Sequence, residues 1–227
     1  MSSTRIGSVA GWLTLAGILA FEVIGPSLAV GQRVTGSTDR GAIEAHYANS
    51  VLLLFGLGQF VVIIGFLVFA TALREALVRR ESATFWANVG FACALVAAAL
   101  LLVRSAIEMA LVRTLAAGSD ILPTFFVWDF TYNSALEAME AGYPAAFALA
   151  IAMAGWRSTP RWYLGLTAIV FVFKLIHMTS LVFGLPLAVT LPGSIAFVVW
   201  FGVTVWILGR QESVVEAAPR AAVPGTA

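Results

Sequence analysis

Six stretches of the chain are each long and apolar enough to cross a bilayer as a helix, and this constrains the fold more than any other feature. Spanning the hydrocarbon takes about 20 apolar residues in a helix. Such stretches run over about 8–30, 50–73, 86–107, 135–156, 162–185 and 190–208. Hydrophobic residues make up 60% of the 227, and only 11% are charged. A soluble domain is about half apolar and about a quarter charged, so a soluble enzyme, a nucleic-acid binder and a disordered chain are excluded. The expected fold is all-α: a polytopic bundle of six membrane helices over 1–210, followed by a disordered cytoplasmic tail over 211–227 rich in Ala and Pro.

The first stretch is too long for a signal-peptide core, and no small-residue cleavage site follows it. Orientation follows from the basic residues. With six spans, Arg5, Arg74, Arg79, Arg80, Arg157, Arg161, Arg210 and Arg220 fall on one side, and Arg33, Arg40 and Arg113 on the other. Eight against three puts both termini in the cytoplasm. The cytoplasmic turns are short, and Pro160 suits the start of a helix. The outer loops are longer. In 31–49, Thr38 or Asp39 is placed to cap a short helix. In 111–134, Phe125, Phe126, Trp128, Phe130 and Tyr132 suit an interfacial aromatic belt. Gly7 and Gly11, like Gly56 and Gly58, fit close helix packing. The single cysteine, Cys93, has no partner within the chain for a disulfide, and its apolar surroundings read as packing. The first and fourth spans do not match, so no inverted transporter repeat is evident.

Three segments carry a family resemblance. They are Arg5 with Ala10-Gly11-Trp12-Leu13, the outer segment Asp39 to Tyr47, and Thr159-Pro160-Arg161-Trp162-Tyr163-Leu164-Gly165. Together they resemble a bacterial family of six-span membrane proteins of unknown function. The resemblance implies six spans in a bacterial cytoplasmic membrane. It implies no activity, cofactor or catalytic residue.

Ionisable groups at membrane depth cost at least about 2.5–3.5 kcal/mol each, so each needs a reason. Glu22 and Lys174 fall about 21 Å and 18 Å into their spans, near the midplane. Lys174 is the only lysine, and His177 shares its helix face at i+3. Gln59 is at mid-depth. Arg104 and Glu108, at i and i+4, lie near the outer end of the third span. Glu137 and Glu140, at i and i+3, lie near the outer end of the fourth. Asp129, Tyr132 and Asn133 lie just outside it. The inner half of every span reads as apolar. The expected packing turns these groups inward to form an outward-facing wet cavity floored by Glu22 and Lys174.

Each group has a structural and a chemical reading. Glu22 and Lys174 read as a helix-fixing ion pair, or as a proton relay or binding pair. His177 reads as a packed imidazole or as an acid–base group. Arg104 pairs with Glu108 along its helix or with Glu137 across helices, or else holds an anionic group. Asp129, set among aromatic rings, reads as a solvated belt residue or as an acid for a lipophilic alkene. Glu108, Asp129, Glu137, Glu140 and His177 together contain metal-ligand chemistry. The chain has no H-E-x-x-H motif or cysteine pair, so neither a metal nor a cofactor is expected.

The first candidate function is an enzyme using Asp129, Glu137, Glu140, Lys174 and His177 for acid–base chemistry on a lipophilic small molecule. Arg104, Glu108, Trp128, Tyr132, Asn133 and Glu22 would line its site. The second is a binding or transport-related protein. The third is a structural subunit whose charges only pair helices. The expected partners are the lipid bilayer and a lipophilic small molecule, with no nucleic acid.

Overall fold

The structure is a computed structural model that describes residues 2–20, 37–48, 51–79, 83–131, 135, 137–156, 159–183 and 187–217. Among them are eight helices and no strand: α1 (Ser3–Ile18), α2 (Arg40–Tyr47), α3 (Val51–Val78), α4 (Thr84–Ala116), α5 (Leu122–Thr131), α6 (Glu137–Gly155), α7 (Arg161–Val182) and α8 (Leu187–Ala217). Within α3, α4, α6, α7 and α8 lie five stretches long and apolar enough to cross a membrane. The segment expected to complete the first span, 21–30, lies outside the described residues.

The long helices form a closed circuit. α1 packs on α3, α3 on α4, α4 on α6, α6 on α7, α7 on α8, and α8 returns to α1. Their shared core holds Phe69, Phe147, Val170, Trp200 and Phe201. Leu13, Val61, Ile169 and Val199 point outward and are exposed. An apolar outer surface of this kind suits lipid rather than water.

α1 docks closely because Gly7 and Gly11 lack side chains. A methyl on Gly7 would overlap Ala72, and one on Gly11 would lie 2.6 Å from Val205 and 2.9 Å from Phe69. Gly56, by contrast, lies against the flexible side chain of Met109. Small residues let membrane helices approach in this way.

The sequence reading needs three amendments. α4 runs to Ala116, nine residues past the expected end of its span, and α8 runs to Ala217, into the tail expected to begin at Gln211. The inner half is not uniformly apolar. Tyr163 and Thr204 hydroxyls share a hydrogen bond of 2.7 Å, and the Trp200 indole donates to Thr167 at 2.9 Å. Thr204 and Thr167 in turn donate to the carbonyls of Trp200 and Tyr163. This network ties α7 to α8 and satisfies every hydroxyl internally, as lipid requires. Lastly, 111–134, expected as a loop with an aromatic belt, contains the helix α5, whereas the short helix expected in 31–49 is present as α2.

Candidate functional site

At 33 residues, α4 is about 50 Å long, well beyond the hydrocarbon thickness of about 30 Å. Its last turns have apolar cover of their own. α2 and α5 provide it. Ile43 and Tyr47 from α2 meet Leu111 and Val112 of α4, with Ile121, Phe125 and Trp128 on the other side. The result is a second hydrophobic core that caps one end of the bundle.

Local sequence explains both cap helices. Asp39 is the N-cap of α2, its carboxylate accepting from the amides of Gly41 (2.9 Å) and Ala42 (3.4 Å). Arg40 and Glu44 pair across the next turn at 2.7 Å. Asp120 accepts from the amide of Leu122 at the start of α5. The aromatic segment expected as a belt is split by helical period. Phe125 and Trp128 are buried in the cap, whereas Phe126, Val127 and Phe130 face outward, Phe130 being 76% exposed.

Directly beneath lies the polar cluster. Arg104 donates from Nε to Glu108 Oε1 at 3.1 Å on its own helix. Its Nη1 lies 3.5 Å from Glu140 Oε2 on α6. The Arg104 and Glu140 side chains are 25% and 13% exposed, so water reaches the group only partly. The next residue of α4, Ser105, donates to the Gln59 amide oxygen on α3. The cross-helix partner shown for Arg104 is thus Glu140, while the side chain of Glu137 lies outside the description.

The cap brings in two residues that the sequence reading did not count among the site residues, His46 and Tyr47. The imidazole of His46 has its pKa held below the ordinary 6.5, chiefly by burial, with Glu108 opposing. Its Nδ1 is buried and has no hydrogen-bond partner among the described residues. The phenol of Tyr47 is pushed above its ordinary pKa by burial first, then by the Glu108 and Asp129 charges, with Arg104 opposing. His46, Tyr47, Arg104, Glu108, Asp129 and Glu140 are thereby linked in one neighbourhood beneath the cap. The signal in the sequence was Asp39 as a cap with Ile43 and Tyr47 at i and i+4, which together define a short amphipathic helix.

The remaining predicted residues lie elsewhere. Lys174 is 7% exposed, with Nζ 5.4 Å from the centre of the Phe197 ring. His177, one turn on, backs onto Gly193, whose missing side chain lets α8 come against the Phe173 carbonyl. Both stand on the seam between α7 and α8, with α6 between α7 and α4 in the circuit. Trp128 belongs to the core of the cap. Glu22, Tyr132 and Asn133 lie outside the described residues. Among the described residues, no three His, Cys, Asp or Glu side chains converge as a metal ion would need.

The five apolar helices indicate a multi-pass membrane protein. Comparison with protein-family models, curated proteins and solved structures finds no match.

Proposed function

We propose that this is a six-span protein of a bacterial cytoplasmic membrane, with both termini inside, whose outer polar cluster handles a lipophilic small molecule by acid–base chemistry of an isomerase or cyclase kind. The orientation is supported by the arginines. Arg5, Arg74, Arg79, Arg161 and Arg210 occupy helix ends on one side of the bundle, and Arg40 and Arg113 occupy the other. The sixth span is supported by α1, which takes a full place in the helical circuit.

The observation that carries the chemical reading is the Arg104 bridge to both Glu108 and Glu140 beneath the cap helix bearing His46. Two carboxylates and one guanidinium leave one negative charge in a partly dry site. A half-buried imidazole kept neutral is a proton acceptor at ordinary pH. The neighbouring carboxylates complete an acid–base set, with Asp129 beside the aromatic residues of α5. In this reading Glu137 belongs with Glu140, while Lys174 and His177 stay apart from the cluster on the α7–α8 seam. The test is a profile of solvent-extractable lipophilic compounds from cells carrying the wild type, Glu140→Gln or His46→Gln. The reading expects a compound whose level depends on the wild type and returns to background in both variants. Identical profiles overturn it.

A second reading rests on the same bridge: the triad only fixes how α4 meets α6. The charge-reversed pair Arg104→Glu with Glu140→Arg separates the two. Recovery of stability together with the compound profile favours pairing. Recovery of stability alone favours chemistry.

A further inference from the structure

α1 and α8 run antiparallel and meet in a fixed register. Gly7 opposes Leu208, Gly11 opposes Val205, and Gly202 opposes Leu15. The Ser8 hydroxyl reaches the Val205 carbonyl across the same seam at 3.5 Å. On the outer side of this seam lies an open groove of about 400 Å³ lined by Trp12, Leu15, Leu19, Val199, Val203 and Trp206, with Gly202 in its floor. No polar surface lines it.

The charge at one end of the groove decides what it fits. Arg210 stands one turn beyond Trp206 and holds its guanidinium 4.1 Å above the indole ring. Arg5 lies seven residues before Trp12 and fourteen before Leu19, which is the spacing of one helix face. The register that sets Gly7 against Leu208 carries Arg5 to the level of Arg210. Both helices therefore place an exposed arginine at the same mouth of an apolar trough open to lipid. A Trp and an Arg at the edge of the hydrocarbon are where a headgroup phosphate lies.

We propose that this groove is a binding site for an anionic glycerophospholipid. One acyl chain lies over Gly202 between the two helices, and the headgroup phosphate sits between Arg5 and Arg210. Guanidinium groups suit phosphate because their paired donors match its oxygens. The partner is a lipid and not a second protein, because the trough lies within the lipid-facing surface and its charge is confined to the headgroup end. The site is independent of the outer polar cluster.

The experiment is native mass spectrometry of the full chain, delipidated in detergent and titrated with phosphatidylglycerol or phosphatidylcholine of the same chain length. The expected result is one retained phosphatidylglycerol and clear discrimination against phosphatidylcholine. Arg5→Gln and Arg210→Gln should each weaken retention about fivefold, as about 1 kcal/mol per basic residue implies. Gly202→Leu should abolish retention by filling the trough. Should that variant fail to fold, Val199→Trp fills the trough from an exposed position that the core does not use. Equal retention of the two lipids by the wild type overturns the proposal. So does loss on removing the arginines but not on filling the groove, which would mean surface charge alone. Loss on filling with no effect of the arginines also overturns it, because the trough would then take any chain.

Discussion

Arg104 on α4 and Glu140 on α6 stand 3.5 Å apart, and the same guanidinium holds Glu108 at 3.1 Å. One cation thus serves two carboxylates where water is scarce. Removing it leaves two like charges facing each other, whereas removing Glu140 leaves a simple pair. Arg104→Gln should therefore destabilise by about 2 kcal/mol, below the full cost of breaking a buried pair because the group is partly wetted. Glu140→Gln should cost about half as much. The double variant should lose less than the sum. Thermal unfolding in one detergent reads all three, and strict additivity would mean that the two residues do not interact.

His46 makes the cap sensitive to pH. Burial lowers its folded pKa below the 6.5 of the unfolded chain, and the weaker pull of Glu108 does not reverse this. Its contribution to stability is therefore complete above about 6.5 and is lost as pH falls through the lower folded value. Hydrogen exchange over α2 should speed up, relative to His46→Gln, as pH is lowered below that point. The two proteins should converge at pH 7.5. Equal pH dependence in both would show that His46 does not couple to folding of the cap.

The α7–α8 network makes an asymmetric prediction. Tyr163→Phe removes one hydroxyl and leaves Thr204 bonded to the Trp200 carbonyl, so it should cost about 1 kcal/mol. Thr167→Val instead takes from the buried indole N–H of Trp200 its 2.9 Å acceptor and leaves it the Tyr163 hydroxyl alone, which should cost about 1–3 kcal/mol. The order of the two melting temperatures in detergent checks this. A milder effect for Thr167→Val would mean that the indole finds another acceptor.

Much of the bundle was legible in the sequence because lipid allows few alternatives to an apolar helix. The Asp39 cap, Pro160 at a helix start and the closeness of α1 through Gly7 and Gly11 follow from local chemistry alone. The cap domain was harder to read. α4 continues as a helix past the apolar stretch, because helix propensity does not stop where hydrophobicity does, and hydropathy sees only the second. His46 is drawn in by its helix neighbours Ile43 and Tyr47, whose burial depends on α4 being long enough to meet them. The choice of Glu140 over Glu137 as the partner shown for Arg104 depends on how α6 is rotated, and two glutamates at i and i+3 leave that open. Tyr163, Thr167, Trp200 and Thr204 read as ordinary members of apolar spans, because a pairing between two helices leaves no trace in either one alone.

The glycines allow a direct comparison of docking against intrinsic helix preference. At Gly11 an added side chain meets Val205 and Phe69 on two different helices, neither of which can swing aside as a flexible chain end would. At Gly165, on α7, nothing lies within 4 Å of the same position. Gly11→Val should therefore push α1 off both α3 and α8, at a cost of about 1–3 kcal/mol for overpacking. Gly165→Ala should be neutral or stabilise by up to about 1 kcal/mol, because it only removes glycine's backbone freedom. Limited proteolysis near residues 2–20 adds the structural readout. Faster cleavage is expected in Gly11→Val, with none in Gly165→Ala. If Gly11→Val melts and digests like the wild type, α1 is not held by close contact, and the closed circuit of helices opens at that seam.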